Sequence, residues 1–488
     1  MRRVKDVVMV SSERHDVGYV LRICAIAALG GILFGYDTSV ISGAISPLQE
    51  YFHLSPAQTG WAVSNVVIGC MVGAMISGTM ADRLGRRMTL FICALLFSLQ
   101  SVGTALATDF TWFVVYRMLG GIAVGVASAV SPMYMSEVSP KDMRGRALSM
   151  EQFAIVFGQV VVFIVNYLIA RSATPEWLLD MGWRWMFGSE IVPCILFCAT
   201  IFFIPESPRW HVLKGRHDEA LKTLTRISNE HHARNLHAEI KQSLGAVAQS
   251  SLGFTKVLGD ARARWIIFVG ASIAALQQVT GINVMMYYAP MVLKSTSGSL
   301  QAALFQTIWI GFALLAGCVI GAWIVDRHGR KPLMLWGSIG MVLGLLVVSW
   351  GLYTQSTGLM ALSGMLVFML MFGLSWGPVC WILISEIFPN RFRAVGISLA
   401  VTSQWGMNFV VSQFFPMLSE NKYLSEQFHG AFSMWLFAIL GLFALWFVMK
   451  FVPETKGVAL EKIEDTMINH RTLSAASSSV ASNSTRHV

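Results

Sequence analysis

Twelve apolar runs, each long enough to cross a bilayer, constrain this chain more than any other feature of its sequence. A hydrocarbon core takes about 20 residues at roughly 1.5 Å each. Runs of that length fall near 20–45, 61–80, 88–108, 111–135, 149–170 and 184–204, and again near 265–290, 303–325, 333–353, 360–388, 395–417 and 430–452. Lipid offers the backbone no hydrogen-bond partners, so each run must satisfy its own peptide groups as a helix. The expectation is an all-α membrane protein embedded in a lipid bilayer. Of 488 residues only 13% are charged, against about a quarter in soluble chains. The formal net charge of +9 does not suggest nucleic acid, because the basic residues sit in clusters between the runs.

Those clusters alternate from side to side. One side collects Arg2, Arg3, Lys5 and Arg14, then Arg83, Arg86 and Arg87, then Lys141, Arg144 and Arg146, the basic central segment, Arg327, Arg330 and Lys331, and Arg391 and Arg393. The other side has Arg171, Lys294 and Lys422. The positive-inside rule then places both termini and the central segment in the cytoplasm. Met1–Tyr19 is basic and polar with no cleavage site, so no removable signal peptide is expected. All seven cysteines lie inside apolar runs and read as small buried hydrophobes, not as disulfides or zinc ligands.

The two sets of six runs match each other. "GTMADRLGRR" (78–87) is echoed by "VDRHGRK" (325–331), "SEVSPKDMRGR" (136–146) by "SEIFPNRFRA" (385–394), and "PESPR" (205–209) by "PETKG" (453–457). Asp82 and Asp326, Glu137 and Glu386, and Glu206 and Glu454 stand 244, 249 and 248 residues apart. This is a duplicated six-helix unit, the arrangement that lets two halves rock about a central site. The expected domains are a cytoplasmic N-terminus (1–19), a first bundle (20–204), a cytoplasmic helical linker (205–262), a second bundle (263–452) and a tail (453–488). In the linker, Leu221, Leu224 and Ile227 share one helical face and Leu236, Ile240 and Leu244 another. The Ser/Thr-rich stretch 472–488 reads as disordered.

The paired Asp-Arg loops, "PESPR", "PETKG" and "QQVTGINVMMYYAP" (277–290) together resemble the sugar porter family of the major facilitator superfamily. The resemblance covers roughly residues 20–460. It implies the major facilitator fold, two pseudo-symmetric six-helix bundles, and a monomer of a bacterial inner membrane. Within the family, "GGILFGYDTSVISG", "EQFAIVFGQ" and "GWRWMFGSE" look closest to members that carry D-xylose with a proton. Relatives for arabinose, galactose, glucose or inositol share much of this pattern.

Asp37, Arg117 and Glu190 lie inside the runs. By helical rise, Asp37 sits roughly 13 Å, Arg117 about 10 Å and Glu190 about 9 Å below the ends away from the basic loops. At nearly equal depth they can meet, and each unpaired would cost at least about 2.5–3.5 kcal/mol. A static ion pair is one reading. In the other, Asp37 accepts a proton: ionised it pairs with Arg117, and protonated it releases Arg117 to Glu190. The resemblance assigns the coupling role to these three positions.

A sugar requires neutral donors and acceptors with an aromatic face beside them. Gln152 and Gln159 are two turns apart on the fifth run, Gln277 and Gln278 lie near the middle of the seventh, and Gly281 loosens the helix before Asn283, Tyr287 and Tyr288. Gln404 and Trp405 lie in the eleventh run, and Trp381 follows the helix-disrupting Gly377-Pro378. Any one amide could equally bond neighbouring helices together. By resemblance, Gln152, Gln277, Gln278, Asn283, Trp381 and Gln404 would bond the sugar, with Phe34, Gln159, Tyr287 and Trp405 lining the pocket. Sugar porters commonly carry an asparagine in the eighth span where this chain has Leu314, a departure expected to alter preference among sugars.

A charged belt lines the basic side: Asp82, Arg83, Glu137, Arg144, Glu206, Arg209, Asp326, Arg327, Glu386, Arg393 and Glu454. Solvated surface pairs of this kind contribute little. Their repetition in both halves suggests instead a latch between the halves, broken when the protein opens on that side.

No enzyme signature is present. There is no G-x4-G-K-[ST] phosphate loop, no H-E-x-x-H, and no histidine deep in any run. No cofactor or metal is expected, with the proton as coupling ion and a small sugar as partner. A facilitative uniporter and a non-transporting sugar sensor are the competing readings. Facilitative carriers of the family generally lack the first carboxylate.

Overall fold

Each apolar run closes its own hydrogen bonds as a helix, and the computed structural model contains twelve helices long and apolar enough to cross a membrane. It describes residues 16–140, 143–250, 254–356, 358–389, 391–456 and 463–468. The basic residues Arg2, Arg3, Lys5 and Arg14, Lys141, the 472–488 stretch and the side chain of Asp326 lie outside the described residues. The spans are Val17–Tyr51, Pro56–Leu84, Arg86–Ala105, Phe110–Val138, Arg144–Ala170 and Pro175–Phe203 in the first half. Ala261–Tyr287, Leu300–Val325, Arg330–Tyr353, Gly358–Ile387, Arg393–Ser419 and Ala431–Phe451 form the second. Among the described residues there is no β-strand.

Turns between spans are held by short polar caps. Ser55 and Gln58 form a capping box at the start of the second span, and Asp109 caps the fourth by accepting from the backbone of Thr111 and Trp112. Three spans are interrupted where the site will form. The seventh breaks at Gly281, whose φ of 94° suits a residue without Cβ. The tenth breaks at Ser375, two residues before the expected Gly377-Pro378. The sixth loosens into a π turn over Leu178–Gly182 and turns again at Ser189 and Glu190.

Without a hydrophobic drive between helices in lipid, close approach of backbones supplies much of the packing. The first and fifth spans show this most clearly. A Cβ at Gly35 would overlap the Ile155 carbonyl, and one at Gly158 would overlap the Ile32 carbonyl. The two helices therefore touch backbone to backbone, and that seam fixes the depth of Asp37 against the fifth span.

The halves meet at the end away from the basic loops. Gln49 donates to both Glu420 carboxylate oxygens at 3.1 and 3.0 Å. Ser64 donates to Gln413 at 2.7 Å, and Gln413 donates to the Ala57 carbonyl at 2.9 Å. Deeper in, Phe34 meets Trp405 with ring centroids 6.2 Å apart, and Trp61 meets Phe409 at 6.3 Å. At the basic end no hydrogen bond or ion pair joins the halves among the described residues. Among the described residues, the hydrogen bonds between the halves all lie at the end away from the basic loops.

The linker forms the helices Pro208–Leu213, His217–Ile227, Glu230–Ser250 and Phe254–Gly259. It braces the first half: Trp210 donates to the Asp82 carbonyl at 3.1 Å and Tyr134 to the Pro205 carbonyl at 2.9 Å. Leu224 and Ile227 are buried as their shared face predicts.

Gly35→Ala should lower thermal stability by about 1–3 kcal/mol, because the added methyl overpacks the seam. Gly78, with open space around it, serves as the matched control and should lose nothing on the same change. Equal melting temperatures for the two variants in detergent would show that the seam tolerates separation.

Candidate functional site

The three intramembrane charges converge, and all three residues are fully buried. Arg117 donates through Nη1 to Asp37 Oδ1 at 2.7 Å and to the Asp37 backbone carbonyl at 3.2 Å. Its guanidinium also lies 5.3 Å from the centre of the Phe187 ring, which seals one face against water. Gln100 on the third span donates a second bond to Asp37 Oδ1 at 2.9 Å. Tyr36 and Ser189, the neighbours of Asp37 and Glu190 in sequence, join their hydroxyls at 2.7 Å and tie the first span to the sixth.

The hydrogen-bond inventory is unbalanced. Arg117 Nε and Nη2, Asp37 Oδ2 and both Glu190 oxygens have no partner. One guanidinium stands near two carboxylates and spends only one of its edges. It can serve either acid with a charge-assisted bond, and the acid it leaves must gain a proton or water. In this arrangement Asp37 has Arg117 and Glu190 has nothing. Gln100 and Tyr36 were missed at the sequence level. A glutamine inside an apolar run was the available signal for Gln100, while nothing in the sequence distinguishes Tyr36.

A second polar cluster joins the broken helices. Gln277 donates to the Trp376 carbonyl at 2.8 Å, beside the break in the tenth span. Its own oxygen accepts from Gln278 at 3.1 Å and from Gln404 of the eleventh span. Asn283 donates to the Gln278 oxygen five residues earlier, a meeting that a regular helix would not allow and the turn at Gly281 permits. Gln277, Gln278, Gln404 and Tyr287 are buried, and Phe34, Gln152, Gln159, Asn283 and Trp405 are half-buried. Tyr287 reaches the side chain of Asn408, which sequence reasoning did not select. The side-chain oxygens of Gln159 and Gln404 are buried without donors. Trp381 differs from the rest in being 42% exposed. Leu314 is buried and packs its backbone against Gly373 of the tenth span.

Within each half, the belt residues are tied to one another. Glu206 accepts from the backbone N–H groups of Arg86 and Arg87 at 2.9 and 3.1 Å, capping the third span. Glu454 does the same for Arg330 and Lys331 at 3.0 Å each, capping the ninth. Glu137 takes Arg86 at 3.0 Å and the Ser207 hydroxyl at 2.5 Å. Glu386 takes Arg330 at 2.9 Å and the Thr455 hydroxyl at 2.6 Å. Each half therefore holds one complete clasp, built twice by the duplication. Arg86 and Arg330 are the partners, while Arg144 and Arg393 turn to the backbone carbonyls of Ser136 and Ser385. Arg327 lies over the Trp323 ring, 4.4 Å from its centre. Among the described residues, no ion pair involving Asp82, Arg83, Arg209 or the other belt residues crosses between halves.

Against known proteins, the description of the sugar (and other) transporter family matches residues 23–467. The chain belongs to that family. It is 41% identical to the D-xylose-proton symporter of Escherichia coli K12, over 93% of this chain and 96% of that one. It is 35% identical to the glucose facilitated diffusion protein of Zymomonas mobilis, over 93% and 98% of the two chains. Among solved structures, the inward open conformation of the E. coli xylose transporter XylE superposes with a TM-score of 0.82 at 39% identity, covering 92% of this chain and all of that one. The relatives are transporters, not enzymes.

The clasp yields a pH prediction. Burial pushes the Glu454 carboxyl up, but the backbone donors of Arg330, Lys456, Lys331 and Thr455 outweigh it and hold the group below its ordinary value. A carboxyl lowered on folding stabilises above its unfolded pKa, and that stability is lost as pH falls through the folded value. Glu454→Gln should therefore melt below wild type at neutral pH, with the gap closing on acidification through the carboxylate range. A gap independent of pH would mean the carboxylate charge is not what the cap uses.

Proposed function

We propose that this chain is a proton-coupled monosaccharide symporter of a bacterial cytoplasmic membrane, working as a monomer by alternating access, with D-xylose as its first candidate substrate. The basic end and both termini face the cytoplasm in this reading, which the excess of Lys and Arg in the loops at that end supports. The observation that carries it is one buried guanidinium shared between two buried carboxylates, with only Asp37 served. The identity to a D-xylose-proton symporter over almost the whole chain supports the substrate class.

In the proposed cycle, the outward-facing form takes a proton onto the Asp37 carboxylate. Neutral Asp37 no longer holds Arg117, whose free N–H edges turn to Glu190. The first, fourth and sixth spans carry these three groups, so the exchange of partners alters how those spans pack. Sugar enters between the halves and bonds the amides of Gln277, Gln278, Asn283 and Gln404, with Gln152 and Gln159 facing from the fifth span and Phe34, Tyr287, Trp381 and Trp405 offering aromatic surface. The unpaired oxygens of Gln159 and Gln404 are suited to accept sugar hydroxyls. Opening at the basic end releases sugar and then proton, and Arg117 returns to ionised Asp37. The arrangement described here, with the halves tied at the far end and Asp37 paired, corresponds to the stage after proton release.

The test is uptake of labelled D-xylose and D-glucose into liposomes, with and without an imposed inward proton gradient. Wild type should accumulate sugar above the outside concentration, and Asp37→Asn should keep sugar exchange while losing accumulation. Gradient-independent equilibration by wild type would instead define a facilitative uniporter and reduce Asp37 to a structural ion. Binding without any flux would define a sensor.

Gln277→Ala removes a group that ties the seventh, tenth and eleventh spans together and leaves its partners unmatched. Sugar affinity should fall about tenfold, near 1.4 kcal/mol, by calorimetry on purified protein. Unchanged affinity would assign Gln277 to helix packing alone.

A further inference from the structure

The coupling reading uses Asp37, Arg117 and Glu190, yet the first half also buries a further carboxyl within its spans. Glu151, on the fifth span, is only 5% exposed. It stands seven residues from Arg144 at the start of that span, about 10 Å from the basic end by helical rise. The neighbours it meets are Ser131 of the fourth span and Gly31 of the first, where an added Cβ would lie 2.9 Å from Glu151 Oε1. Among the described residues, no charged or titratable side chain acts on it from any element packed against it.

The hydrogen-bond geometry around Ser131 counts protons. Ser131 Oγ lies 2.9 Å from the Ala27 backbone carbonyl and 2.9 Å from Glu151 Oε2. A hydroxyl carries one hydrogen, and the carbonyl can only accept. If Ser131 donates to Ala27, the contact with Glu151 needs its hydrogen from the carboxyl. An ionised Glu151 would leave two acceptors competing for one hydrogen, with Oε1 facing Gly31 and lacking any donor. A neutral acid completes the chain: Glu151 O–H to Ser131, Ser131 O–H to Ala27.

We propose that Glu151 is a second proton-binding carboxyl of the first half, neutral in this arrangement, that exchanges its proton with the cytoplasmic side. The step is acid dissociation alone: the O–H bond of Glu151 breaks, water takes the proton as hydronium, and the electron pair stays on the carboxylate. The Ser131 hydroxyl then turns from the Ala27 carbonyl to the new anion. The first span loses a tie to the fourth and faces a charge at Gly31, six residues before Asp37 on the same helix. Cytoplasmic proton supply would in this way reach the helix that carries the coupling carboxylate. The role in transport rests on the symport reading; the protonation state does not.

Infrared difference spectroscopy of the purified protein, titrated from mildly acidic to mildly alkaline pH, reads the site directly. Wild type should show protonated-acid carbonyl stretches at neutral pH, with one component lost in Glu151→Gln and retained in both Asp37→Asn and Glu190→Gln. Ser131→Ala should keep the band but shift its frequency, because the acid O–H loses its acceptor. A band untouched by Glu151→Gln, or a carboxylate signature assigned to Glu151 at neutral pH, would overturn the proposal. Transport supplies the second readout. In an Asp37→Asn background, sugar exchange should fall about threefold on alkalinisation, and adding Glu151→Gln should abolish that dependence. The same pH dependence in both variants would leave Glu151 a structural hydrogen-bonding residue. Absence of any sugar flux in wild type would count against the transport reading, while the infrared bands would still decide the protonation state.

Discussion

A guanidinium sealed inside a membrane protein has to be given a carboxylate, and the first half of this molecule is arranged around that requirement. Arg117 cannot lose its proton and cannot reach water, so Asp37 must stand within hydrogen-bond distance of it. Holding Asp37 there fixes the first span against the fourth. Gln100 adds the third span, Phe187 the sixth, and the glycine seam the fifth. Glu190 is the surplus, buried with neither oxygen hydrogen-bonded. Two acids and one base cannot all be satisfied at once, so the number of bound protons selects the pairing.

Duplication gave the two halves the same outer frame and different centres. The clasp of a helix-capping glutamate, an arginine, a second glutamate and a hydroxyl is present in each half with nearly matching distances. The fully buried charges Asp37, Arg117 and Glu190 lie in the first half, and the joined amides Gln277, Gln278, Asn283 and Gln404 in the second. The buried ion pair and the joined amides are thereby separated across one interface. Movement of one half relative to the other is the natural way for them to communicate.

Breaks in three helices create the polar centre. A regular helix would spend its amides along one stripe. The turn at Gly281 folds Asn283 back on Gln278, and Gln277 meets the Trp376 carbonyl beside the break at Ser375. Irregular backbone at membrane depth persists where neighbouring helices satisfy it, as they do here. Contacts between the halves are concentrated at the far end, through Gln49, Glu420, Ser64 and Gln413. The structural likeness to an inward open xylose transporter accords with that closure.

The twelve spans, the duplication and the convergence of Asp37, Arg117 and Glu190 were legible in the sequence. They follow from local quantities: run length, charge alternation and a fixed rise per residue. Other features depend on which surfaces meet, which no spacing encodes. Glu137 and Arg144 stand seven apart, yet Glu137 pairs with Arg86, because span-to-span packing and not sequence distance puts Arg86 beside it. Gln100, Tyr36, Asn408 and Glu151 became functional candidates only when partners from other spans were counted against them. Helix identity, depth and orientation are one-dimensional properties written along the chain. Pairing, unspent hydrogen bonds and the end at which the halves join arise from many weak contacts summed across helices, and only the tertiary structure settles them.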